Sequence, residues 1–141
     1  TEAVLRAMQA VDVMAFSERS VTELSGGERS RVALARALAV EAPIILADEP
    51  TASLDPRHQI DVMKNLRGIA DNGVLVVVVT HDLGLAARFA DHVLVLREGA
   101  LVSQGPPAQA LSEQVMADVF RISAYRAEYQ REAVIVPWAD L

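Results

Sequence analysis

Apolar positions along this chain alternate between two patterns, helical spacing and short unbroken runs. Residues 2–11 place Val4, Leu5, Met8 and Val11 on one face of a predicted helix. A second helix is predicted over 28–40, with Val32, Leu34, Ala35, Leu38 and Ala39 apolar, and Pro43 stops it. A third opens at Asp55-Pro56 and runs to about Asp71, where Asn72-Gly73 makes a turn. A fourth, short helix is expected over 83–90. Between them, 44–48 and 74–80 are apolar runs, the second with four consecutive valines. Runs of this kind predict strands buried on both faces. Residues 16–24 read as a polar connection. Beyond residue 90, segments 92–97 and 100–104 flank Glu98-Gly99 as a hairpin. Pro106-Pro107 ends it, 108–120 is helical in pattern, and 125–138 is expected to form a terminal hairpin.

This alternation of strands and helices predicts an α/β fold with a mainly parallel sheet. Such sheets carry their sites at the carboxyl ends of strands. Asp48 and Glu49 lie there after one strand and His81 after the other.

Composition narrows the function classes. The 141 residues are 52% hydrophobic and 23% charged, which suits a globular chain of one domain's length. No apolar run approaches the ~18 residues of a membrane-spanning helix. The net charge of −6 disfavours broad binding to nucleic acid. With no cysteine, thiol catalysis and zinc-thiolate sites are excluded. The start at Thr1, inside an expected helix, suggests a natural chain that extends further upstream.

Three short stretches carry candidate chemistry. In Leu24-Ser25-Gly26-Gly27-Glu28, Ser25 and Glu28 are spaced as a capping box before an apolar helix. A cap needs no glycines, and glycines cost helix stability. They do let an anion approach the exposed N–H groups at the positive end of the helix dipole. In Ile45-Leu46-Ala47-Asp48-Glu49-Pro50, two adjacent acids end a buried strand, either as a solvated turn or as support for a hydrated Mg2+ and a water. In Ser53-Leu54-Asp55-Pro56, Asp55 fits an N-cap and Pro56 the first helical position. His81 is placed to donate to a phosphate or hold a water, and Asp82 to cap the next helix. His58 and His92 read as surface or strand residues.

In order and spacing, LSGGE, ILADEP, SLD and THD resemble the C-terminal half of an ATP-binding cassette (ABC) subunit, matched from about Ser20 to Gly105. The tail, including REGALVSQGPPAQALSEQVMADVFRI and AVIVPW, is similar to importers of iron-siderophore, heme and cobalamin complexes. The implied fold is a P-loop NTPase-like parallel sheet with flanking helices, lacking its N-terminal half. Its parts would be a signature-helix region at about 1–42, a catalytic sheet portion at about 43–105 and a helical and hairpin tail at about 106–141. The resemblance implies that Ser25, Gly26, Gly27 and Glu28 form the signature, facing ATP held by a partner subunit. It implies that Asp48 supports Mg2+ through water, that Glu49 is the catalytic carboxylate and that His81 is the switch histidine. Ser53, Leu54 and Asp55 would form the loop coupling the two sites. Ala47 departs from the bulkier aliphatic residue usual before the acids.

The same resemblance implies ATP hydrolysis in a head-to-tail dimer with a second ATP-binding subunit. Transmembrane permease subunits would be partners at the cytoplasmic face of the membrane, and an extracytoplasmic solute-binding protein an indirect one. Two other readings stand beside it: an ABC-type ATPase acting on nucleic acid or ribosomes, and a non-functional fragment. The sequence contains no G-x-x-x-x-G-K-[ST] lysine loop; Lys64, its single lysine, has no glycine shortly before it. This chain alone is therefore expected to bind ATP weakly or not at all, and to expose apolar faces.

Overall fold

A computed structural model describes residues 1–141, which divide into two units, Thr1–Thr80 and His81–Leu141. In the first, helix α1 (Glu2–Ala10) packs against α2 (Gly26–Leu38). Val11, Val13 and Ala35 form their buried core, with Met8, Phe16, Val32, Leu34 and Leu38 against it. Ala7 is the buried residue of α1 itself, whereas Val4 and Leu5 are exposed. The apolar face expected for this helix is therefore only partly used, because the unit offers nothing to cover its N-terminal end. The connection after α1 contains two 3-10 turns, Met14–Phe16 and Val21–Glu23. Arg19 and Arg31 stand over the Phe16 ring at 5.5 and 5.9 Å.

Strands β1 (Ile44–Asp48) and β2 (Leu75–Val79) pair in parallel, joined by α3 (Pro56–Asp71), which packs along β2. Helix α3 buries Val62, Met63, Leu66 and Ile69. The register pairs Ile44 with Leu75, Ile45 with Val76 and Leu46 with Val77. Paired residues share a face, so the strands sort their side chains cleanly. Ile45 is buried and Val76 and Val78 are half-buried, while Ile44, Leu46, Leu75, Val77 and Val79 are exposed. The expectation of strands buried on both faces thus holds for one face. The runs have the composition of a doubly covered sheet, and the unit supplies one layer of cover.

In the second unit, α4 (Leu83–Phe89) precedes the antiparallel hairpin β3 (Val93–Arg97) and β4 (Ala100–Gly105). Glu98 and Gly99 have φ of 53° and 77° at its turn, the left-handed pair that two-residue hairpins favour. The pattern over 108–120 does not make one continuous helix. It divides into α5 (Pro107–Ala110), α6 (Glu113–Val115) and a π-helical turn (Met116–Phe120). Ser112 causes the break: its hydroxyl accepts from the Val115 N–H at 3.4 Å and restarts the helix, while Leu111 turns inward. Strands β5 (Ile122–Tyr129) and β6 (Glu132–Asp140) form the last hairpin. Ala87, Val95, Leu111, Met116 and Ile135 form the buried core that joins these elements. The whole is α/β, with one parallel pair and two antiparallel hairpins.

Candidate functional site

The glycine turn is fixed by its cap. Ser25 is the N-cap of α2, which places Gly26 and Gly27 inside the helix's first turn, two residues before the start expected from the sequence. The Ser25 backbone N–H donates to the Glu28 carboxylate at 2.7 Å, and the Glu28 N–H donates to Ser25 Oγ at 3.3 Å. The Ser25 backbone N–H first, then the Ser25 hydroxyl, hold the Glu28 carboxyl below its usual range, helped by Arg19 and Arg31. The first intrahelical bond is made by Arg29, to the Ser25 carbonyl. The N–H groups of Gly26 and Gly27 thus belong to the donor set at the positive end of the helix. Gly26 is exposed, with open space where a side chain would stand.

The acids end a strand, as their sequence predicts. Asp48 is the last residue of β1, exposed and paired with Val79. Glu49 follows with φ of 47°, a left-handed conformation that is strained for a residue with a side chain. It is held there by two bonds: its N–H donates to the Val79 carbonyl at 2.9 Å, and its carbonyl accepts from Ala52 at 3.0 Å. Thr51 is buried, and its carbonyl accepts from Gln59 Nε2 of α3 at 3.3 Å. Ser53 is also left-handed, at φ 60°, and Leu54 closes back on the Thr51 carbonyl. The loop from Glu49 to Asp55 is therefore tied to β2 at one end and α3 at the other. No group of three or more His, Cys, Asp or Glu is gathered to hold a metal by itself. An exposed carboxylate at a strand end suits Mg2+, which keeps several waters and uses one or two carboxylates.

Asp55 caps α3, its Oδ1 accepting from the His58 N–H at 3.1 Å. Its Oδ2 lies 2.5 Å from His58 Nδ1. The His58 ring, then its backbone N–H, hold the Asp55 carboxyl below the ordinary range. His58 is thus not the plain surface residue that its sequence position suggested. The signal was present as Asp55-x-x-His58, the spacing at which an N-cap meets the third residue of its helix. His81 begins the second unit; it is exposed and directly precedes Asp82, the N-cap of α4, which accepts from the Leu85 N–H at 2.9 Å. Both the Ser25–Glu28 turn and the Asp48–Asp55 loop therefore belong to the first unit, and His81 to the other.

Comparison with known proteins agrees with these motifs. The ABC transporter family profile matches residues 1–52. The chain is 52% identical over 118 residues to the hemin import ATP-binding protein HmuV of Rhodococcus jostii (strain RHA1), covering 84% of this chain and 40% of that protein. It is 47% identical over 121 residues to the cobalamin import ATP-binding protein BtuD of Halobacterium salinarum (strain ATCC 29341 / DSM 671 / R1), covering 85% of this chain and 30% of that protein. Among solved structures, a metal-chelate type ABC transporter in an inward-facing conformation superposes with a TM-score of 0.86 at 27% identity, covering 98% of this chain and 57% of that one. The resemblance to ABC-type ATP-binding subunits therefore extends over most of the chain, and the fold is part of an ABC ATPase cassette. The chain spans less than half the length of the two curated relatives.

Proposed function

We propose that this chain is the signature-bearing part of an ATP-hydrolysing subunit that drives an ABC importer of an iron-siderophore, heme or cobalamin-like complex. The observation that carries the reading is the joining, in one unit, of a serine-capped glycine helix start with a strained acid at a parallel strand's end. Similarity to hemin and cobalamin import proteins supports the cargo class. Within this reading, residues of about 1–42 carry the signature, about 43–105 the catalytic sheet portion and about 106–141 the tail.

Ser25, Gly26 and Gly27 present a hydroxyl and helix-start N–H groups to the terminal phosphate of ATP held by a partner subunit. Glu28 keeps that turn closed through the capping box. Asp48 would hold Mg2+, which when bound would offset negative charge on the phosphates. Glu49 orients a water and takes its proton as the water oxygen attacks the terminal phosphorus, which leaves ADP and phosphate. His81 donates a hydrogen bond to the terminal phosphate. Ser53, Leu54 and Asp55 link the two sites of the dimer. No helix is long and apolar enough to cross a membrane, which fits a peripheral subunit on the cytoplasmic face held by permease partners.

Purification of the intact subunit from its native membrane tests this reading. Co-purification with a membrane permease, together with ATPase activity that depends on Mg2+, is the expected result. Salt-sensitive capture of nucleic acid without a permease overturns it.

A further inference from the structure

Gly27 and His58 meet in a way that gives the histidine a role. Gly27 is buried, and its backbone angles are those of an ordinary helix. Its lack of a side chain is needed for packing: a Cβ there would stand 2.1 Å from His58 Cδ2, 2.6 Å from Nε2 and 2.8 Å from Cγ. The imidazole thus fills the volume in which a Gly27 side chain would lie. The ring is not free to swing away, because its Nδ1 pairs with Asp55 Oδ2 while the Asp55 Oδ1 accepts from the His58 N–H. One carboxylate therefore fixes both the backbone and the ring of His58. Gly26, one residue earlier, has open space at the same position, so the two glycines of the turn serve different ends.

We propose that His58 is a positioning residue, whose imidazole links the Asp55 loop to the glycine turn of α2 by packing on Gly27. A shift of Asp55 moves the ring, and the ring moves the N–H groups of the helix start. Asp55 thereby sets the geometry at Gly26 and Gly27 without touching them. This inference rests on the ATPase reading above for its functional consequence, though the contact itself does not.

The test uses the intact subunit and two readouts. In a thermal-melting cycle, G27A is expected to lower the midpoint strongly in the parent and much less in an H58A background, since the ring is then gone. Equal losses in both backgrounds overturn the contact. In ATPase kinetics, H58F keeps a ring against Gly27 but cannot pair with Asp55. It is expected to melt slightly below the parent, for loss of the Asp55 pair, and to keep the parent KM for ATP while kcat falls about 10- to 100-fold, the scale for a misplaced reacting geometry. A kcat for H58F within about twofold of the parent overturns the positioning role. A parent subunit without ATPase activity instead refutes the functional reading and this role with it, while the melting cycle still decides whether the contact exists.

Discussion

Two leucine truncations separate what this chain packs from what it leaves open. Leu111 is 1% exposed at the centre of the second unit's core, and Leu46 is 78% exposed on the open face of β1–β2. Full burial of a leucine side chain stabilises by about 1.5–3 kcal/mol. At its exposure Leu46 keeps about a fifth of that, roughly 0.5 kcal/mol. Leu111→Ala also leaves a cavity, and such buried truncations cost about 2.7–5.0 kcal/mol. Urea titration reads the difference, with far-UV circular dichroism for the chain and fluorescence of Trp138, the single tryptophan, for the second unit. With m of about 1–3 kcal/mol/M, Leu111→Ala shifts its unit's midpoint by about 1 M or more and Leu46→Ala by about 0.5 M or less. The two windows do not overlap. Equal shifts, or a larger one for Leu46→Ala, refute the assignment of β1–β2 as a sheet with one open face.

Ser25→Ala removes the N-cap of α2 and is expected to cost about 1 kcal/mol, read by the urea midpoint of the first unit. The Glu28 and Asp55 carboxyls are both held below their ordinary range. Their contribution is therefore present above the unfolded values of about 4.3 and 3.9, and is lost as pH falls through the lower folded values. Stability should rise with pH through the acid range by these groups and level off above about pH 5, and an E28Q/D55N variant should show a shallower rise in an acid titration. The exposed row Ile44, Leu46, Leu75, Val77 and Val79 predicts self-association of this chain in sedimentation; a monomeric, cooperatively melting sample counts against it. Isothermal titration should find weak ATP binding or none, and tight Mg2+-dependent binding by this chain alone contradicts the role given to the absent lysine loop.

The elements with strong local signals were legible in the sequence. Asp55-Pro56 marked the start of α3, and the cap on Oδ1 is what that pair predicts. The acid pair at the end of an apolar run marked the C-terminal end of a parallel strand. Where boundaries slipped, a competing local interaction decided them. Ser25 and Glu28 draw Gly26 and Gly27 into the helix, although both are poor helix formers. Ser20 and Glu23 repeat the same box inside the stretch expected to be a plain connection. The turn of the last hairpin, Gln130-Arg131, has φ of 53° and 65° without a glycine or asparagine, so composition did not locate it. The Gly27–His58 contact joins residues thirty-one positions apart on α2 and α3. Only the packing of those helices brings them together, and no local pattern encodes it.

Glu49 carries the central claim, that this chain supplies the catalytic carboxylate of an ATPase. The direct measurement compares the intact subunit with its Glu49→Gln variant, reading ATP affinity and steady-state turnover together. Glutamine keeps the shape of the side chain but takes up a proton far less readily. ATP binding should be retained while turnover falls by at least about 100-fold, the lower end of the range for general base catalysis. Unchanged turnover would remove Glu49 from its role and the proposed function with it.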